Sequence, residues 1–93
     1  MPEGEKHRVT VRVVNKKGLH ARASAKIVEA AARFTAHVTV KKDGQCVDAR
    51  SIMGLMMLAA GVGSEIEIEA LGQDASAALA AIVALVGAKF GED

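Results

Sequence analysis

Between residues 7 and 14 the chain alternates, with Val9, Val11 and Val13 on one side and Arg8, Thr10 and Arg12 on the other. A period of two predicts a half-buried strand. Asn15-Lys16-Lys17-Gly18 is a polar turn. From Ala21 to Phe34 the period changes: Ala23, Ile27, Ala30, Ala31 and Phe34 recur at helical spacing, while Lys26, Glu29 and Arg33 lie largely outside the stripe. That is an amphipathic helix. Val38-Thr39-Val40 and Cys46-Val47-Asp48-Ala49 flank Lys42-Asp43-Gly44-Gln45, whose Asp-Gly pair signals a hairpin. Ser51 is a good N-cap for a short helix over Ile52–Leu58. Gly61-Val62-Gly63 is a loop, and Glu65-Ile66-Glu67-Ile68-Glu69 is the clearest strand in the chain. Asp74 can cap a last helix with Leu79, Ile82, Val83, Val86 and Phe90 along one face.

The predicted order is therefore βαββαβα. Each strand has one apolar face and each helix one apolar stripe, and these bury each other in a two-layer α/β (α+β) sandwich. With no linker, low-complexity tract or internal repeat, residues 1–93 read as a single domain.

Composition narrows the function classes. The chain is 51% hydrophobic but only 2% aromatic, so Ala, Val, Ile, Leu and Met must fill the core around Phe34 and Phe90. A net charge of +1 and the lack of stacking aromatics argue against a nucleic-acid partner. No run approaches the roughly 20 apolar residues of a membrane span, and no signal core opens the chain, so a cytoplasmic protein without membrane insertion is expected. Cys46 is the lone cysteine; it can form no internal disulfide and no Cys-rich metal site, and it reads as a small buried or half-buried strand residue. No metal and no cofactor is expected. His7 and His37 read as solvated or strand residues.

The chemistry concentrates in Gly18-Leu19-His20-Ala21-Arg22, where a strand gives way to a helix. Ser, Thr, Asp and Asn dominate helix N-caps, so a histidine there is unusual. Its imidazole lies beside free backbone N–H groups and the positive end of the helix dipole. Arg22 adds a guanidinium suited to an anion. The residues fit a histidine that accepts a phosphoryl group; a surface histidine in a turn is the plainer alternative.

Two stretches, GLHARASAKIVEAA from Gly18 and SIMGLMML from Ser51, lie at the right separation within the right element order. On them the chain resembles the HPr family, the histidine-containing phosphocarriers of the bacterial phosphoenolpyruvate-dependent phosphotransferase system. The resemblance implies a four-stranded antiparallel sheet covered on one face by three helices. It implies that His20 is phosphorylated on Nδ1 and that Arg22 stabilises the phosphohistidine. Ser51 would match the serine modified by a dedicated kinase in some members. Ile52, Met53 and Met56 would match the apolar docking surface, with Ala21 and Ala25 beside the histidine completing the expected docking residues. The implied partners are enzyme I, a IIA-type phosphoryl acceptor and, where one exists, a serine kinase/phosphorylase acting on Ser51.

One departure is clear. Family members usually carry Pro after the arginine, where this chain has Ala23. In the first turn of a helix Pro is tolerated because the N–H is unpaired, so the change reads as variation within a working site. Glu29 also interrupts the basic side formed by Lys26 and Arg33, which bears on partner affinity more than on chemistry. The competing function is a regulatory protein-binding module, nitrogen-branch or Ser51-controlled, without transport-coupled phosphotransfer.

Overall fold

The computed structural model describes residues 5–92. Strand β1 spans Glu5–Arg12, α1 Ala21–Ala32, β2 His37–Lys42, β3 Gln45–Asp48, α2 Ile52–Met57, β4 Glu65–Gly72 and α3 Ala75–Gly87, with a 3-10 turn at Lys89–Gly91. The four strands form one open antiparallel sheet in the order β1-β4-β2-β3. The βαββαβα order and the sheet beneath three helices agree with the sequence expectation.

The alternation read in the strands determines which face is covered. Ile66, Ile68 and Ala70 of β4 and Val38 and Val40 of β2 are buried, packed with half-buried Val9 and Val11 of β1. Ile27 of α1, Leu55 of α2, and Ile82 and Val86 of α3 close on them from the helical layer. The opposite face of the sheet is polar. Arg12 bonds Glu65 directly across the β1–β4 ladder at 3.4 Å, while Lys6–Glu69 at 3.4 Å and Arg8–Glu67 at 3.6 Å run diagonally. Exposed pairs of this kind contribute about 0.2–1 kcal/mol each and mainly keep this face hydrated.

The β2–β3 hairpin turns on Asp43 and Gly44, with φ of 50° and 84°. A two-residue loop with both central residues at positive φ is the type I′ geometry for which Asp-Gly is suited. Arg50, just beyond β3, donates to Phe34 O at 2.6 Å and so binds a carbonyl exposed beyond the end of α1.

Three sequence expectations need correction. Cys46 is exposed: β3 is an edge strand, and its alternation turns Val47 toward the core and Cys46 away from it. Asp74 occupies the N-cap position of α3 but bonds none of its amides. Its carboxylate accepts from Thr35 N at 2.9 Å, Ala36 N at 2.8 Å and the Thr35 hydroxyl at 3.2 Å, fastening the α1–β2 connection to the start of α3. The hydrogen bond from the Thr35 amide is the leading reason its carboxyl stays below the ordinary value. Finally, Phe90 is buried as expected but does not lie on α3. The helix stops at Gly87, and Lys89 and Phe90 adopt φ of 58° and 56°, reversing the chain. The reversal drops Phe90 into the core and sends Glu92 back toward α1.

Candidate functional site

The turn between β1 and α1 is built to present His20. Gly18 has φ +64, a left-handed conformation that favours glycine. The neighbouring Leu19 amide donates to Ala60 O at 3.0 Å, docking the turn on the loop after α2. Asn15, fully buried, donates from Nδ2 to Gly18 O at 2.9 Å, and the buried Ser24 hydroxyl donates to Leu19 O at 3.2 Å. The chain therefore reaches His20 from a rigid turn.

His20 is the N-cap of α1, with extended backbone at φ −75° and ψ 179°. Its carbonyl accepts the first helical bond from Ser24 N at 2.8 Å, and its Nδ1 accepts from Arg22 N at 3.3 Å. The imidazole thus takes the role a Ser or Asp oxygen ordinarily plays. At 3.3 Å the bond is longer than the usual 2.9–3.0 Å, so Nδ1 is held weakly and is readily released to a new partner. Nε2 faces the Glu92 carboxylate in hydrogen-bond contact. A carboxylate accepts and an amide donates, so the two neighbours assign the proton to Nε2 and the lone pair to Nδ1. The two side chains are 26% and 19% exposed, sheltered enough for the pair to persist yet open at one edge.

That edge is a cleft of about 630 Å³ lined by Lys16, Lys17, His20, Ala21, Arg22 and Glu92. Arg22 is exposed there, and its guanidinium has no partner among the described residues. The cleft thus combines three basic side chains, the N-terminal end of α1 and a histidine nitrogen whose lone pair is engaged only by the long bond from the Arg22 amide. A dianionic phosphoryl group matches this chemistry, through both the helix terminus and the cationic side chains.

The expected docking residues spread across two neighbouring helices that pack together. Ala21 is exposed at the first position of α1, and Ala25, one turn on, is half-buried. On α2, Leu55 and the following Leu58 turn into the core, while Ile52, Met53 and Met56 are 40%, 69% and 41% exposed. Met57, at 71% exposed, belongs to the same apolar surface and was not among the docking residues expected from sequence. Ser51 caps α2 by accepting from Gly54 N at 2.9 Å. Glu92 and Asn15 were missed at the histidine. Asn15 reads as an ordinary turn residue, and nothing in the pattern after Phe90 shows that the chain doubles back. A patch of methionines around a capped helix fits an adaptable protein-binding surface.

The family model described as the PTS HPr component phosphorylation site matches residues 7–88. This chain belongs to the HPr phosphocarrier family. It is 50% identical over 80 residues to the phosphocarrier protein HPr of Cupriavidus necator, an alignment covering 86% of this chain and 90% of that protein. It is 48% identical over 82 residues to the phosphocarrier protein NPr of Shewanella violacea, covering 88% and 90%. Among solved structures, HPr-C-His from Thermoanaerobacter tengcongensis superimposes with a TM-score of 0.90 at 41% identity, covering 94% of this chain and 98% of that one. An HPr-family chain is a phosphocarrier of the phosphotransferase system and not an enzyme in the ordinary sense. Among the described residues no helix is long and apolar enough to cross a membrane.

Proposed function

We propose that this protein accepts a phosphoryl group on Nδ1 of His20 from enzyme I and passes it to a IIA-type acceptor in the cytoplasm, residues 1–93 acting as one phosphocarrier domain. The observation that carries the proposal is the split of the His20 ring: Nε2 is occupied by a carboxylate, while Nδ1 holds a lone pair beside the start of α1. A neutral imidazole is a competent nucleophile near neutral pH. In the forward step the Nδ1 lone pair forms a bond to phosphorus as the donor–phosphorus bond breaks and its electron pair leaves with the donor. The return step reverses this with the next acceptor.

Phosphoryl transfer asks a protein mainly for positioning and charge stabilisation. Here the rigid turn at Asn15–Leu19 supplies the first. Arg22, Lys16 and Lys17 supply the second. The remaining catalytic groups come from the partners, which dock on Ala21, Ala25, Ile52, Met53 and Met56 and, by its exposure, Met57. Ser51, at the start of the helix that bears this patch, is the point at which a kinase-added phosphate would place charge inside the docking surface.

Incubation with phosphoenolpyruvate and enzyme I tests the proposal. The expected result is one acid-labile phosphate per chain, lost on addition of an unphosphorylated IIA protein. Specific binding to enzyme I with no acid-labile phosphate would instead support the regulatory-module reading.

A further inference from the structure

The family match ends at residue 88, yet the residue in contact with Nε2 of His20 is Glu92, four positions beyond it. We propose that Glu92, oriented by Asn15, is the positioning residue that keeps the His20 proton on Nε2 and thereby directs phosphoryl transfer to Nδ1. Its consequence for transfer rests on the phosphocarrier function proposed above; the tautomer itself does not.

Three observations support the assignment. First, Oε2 of Glu92 takes the Nε2 side of the ring while Oε1 accepts from Asn15 Nδ2 at 3.1 Å, so the carboxylate is held at both oxygens. Second, Asn15 is fully buried and spends its Nδ2 donors on Glu92 and on Gly18 O, leaving Oδ1 without a partner among the described residues. A buried unpaired carbonyl is unfavourable. Packing alone therefore gives a poor account of an asparagine here, whereas joining the histidine turn to Glu92 gives a good one. Third, Lys26 Nζ donates to Phe90 O, fixing the turn that delivers Glu92.

The charged groups around the carboxylate agree. His20 and then Asn15, by hydrogen bonding, hold the Glu92 carboxyl below its ordinary value, and Lys17 adds attraction. Lys16 and Arg22 line the same cleft. Glu92 is thus ionised at neutral pH and can only accept.

The proton balance follows. With Nε2 protonated throughout, Nδ1 attacks phosphorus without first losing a proton. The product ring carries Nδ1–P and Nε2–H and a positive charge, which the Glu92 carboxylate neutralises. When the N–P electron pair returns to Nδ1 on transfer to the next acceptor, the proton is still in place. In the other tautomer the lone pair would lie on Nε2, facing a carboxylate and closed to a phosphoryl group.

Long-range proton–nitrogen NMR of 15N-labelled protein reads the His20 tautomer directly in the unphosphorylated chain. The wild type should be predominantly Nε2–H. Glu92→Ala should move the ring toward a mixture of tautomers and slow transfer from phosphorylated enzyme I by roughly tenfold, the lower end of the loss seen when the carboxylate that orients a metal-bound histidine is removed. Glu92→Gln, whose amide oxygen still accepts from Nε2–H, should keep the tautomer and lose less rate. Backbone amide spectra check that each variant retains the fold. A wild-type ring in the Nδ1–H form, an unchanged tautomer in Glu92→Ala, or an altered tautomer with an unchanged transfer rate would overturn the role of Glu92. Failure of the wild type to be phosphorylated would overturn the proposed function while leaving the tautomer measurement in force.

Discussion

Replacing Gly18 with alanine tests whether the histidine turn is locked to the loop beneath it. A Cβ at Gly18 would lie 2.3 Å from Ala60 O, 2.8 Å from Gly61 Cα and 3.2 Å from the Ala60 carbonyl carbon. All three are backbone atoms, so no side chain can swing aside. The crowded oxygen is also the acceptor for Leu19 N at 3.0 Å, so relieving the clash strains that bond. Two costs add. The left-handed backbone costs an L-residue about 1–2 kcal/mol. Forced overpacking costs about 1–3 kcal/mol more. The total of about 2–5 kcal/mol is a large share of the roughly 5–15 kcal/mol that stabilises a natural domain. Urea unfolding is the assay. With a slope of roughly 1–1.5 kcal/mol per molar, the midpoint should fall by at least about 1 M at constant slope. Gly61→Ala is the control, because its Cβ meets nothing within 4 Å. If Gly18→Ala unfolds within about 0.5 kcal/mol of the wild type, the ordinary range for an unconstrained surface position, the docking of this turn on residues 60–61 is refuted.

Other perturbations probe the remaining parts of the site. Met53→Glu, on a side chain in a residue 69% exposed, should change stability by under about 0.5 kcal/mol while weakening binding to enzyme I, measured by calorimetry; a core-sized loss of about 2–5 kcal/mol would mean that the residue packs inward. Ala23→Pro should be tolerated, because the Ala23 amide has no acceptor among the described residues, and stability should shift by no more than about 1 kcal/mol in either direction; a larger loss in a denaturant titration would show that the amide is engaged or that Arg22 cannot accept the restriction a following Pro imposes. Glu92 and Asp74 both have carboxyl pKa values lowered by folding, so their contributions are complete above the ordinary values of 4.5 and 3.8 and are lost as pH falls through the lower folded values. Thermal unfolding from pH 7 to pH 3 should therefore show a smaller acid loss in Asp74→Asn and Glu92→Gln than in the wild type, and curves that stay parallel across that range would contradict the assignment.

Much of the architecture is legible in the chain because its signals are local. The alternation of Glu65–Glu69, the Asp43-Gly44 turn and the caps at His20 and Ser51 each depend on a few adjacent residues, and each appears where it was expected. What escaped depends on neighbours distant in sequence or on solvent. Asp74 has the composition of a helix cap, but the free amides of Thr35 and Ala36 compete for its carboxylate and win. Phe90 matches the helical repeat of α3, yet Gly87 ends the helix and two positive-φ residues reverse the chain. Periodicity cannot register a reversal that preserves burial. Cys46 is a small apolar residue, and it is exposed because the alternation of β3 turns it to the sheet face that no helix covers. The same limit applies to the site: His20 and Arg22 stand out because they are adjacent in sequence, whereas Glu92 meets His20 across 72 positions and has no local signature.

The most direct test of the phosphocarrier reading is phosphorus–nitrogen NMR of 15N-histidine-labelled protein after reaction with phosphoenolpyruvate and enzyme I, in the wild type and in His20→Ala. The expected spectrum shows a single phosphorus resonance coupled to Nδ1 of His20, absent from a His20→Ala protein that remains folded. Coupling to another histidine, a phosphate on Ser51 alone, or a full acid-labile signal in His20→Ala would contradict it.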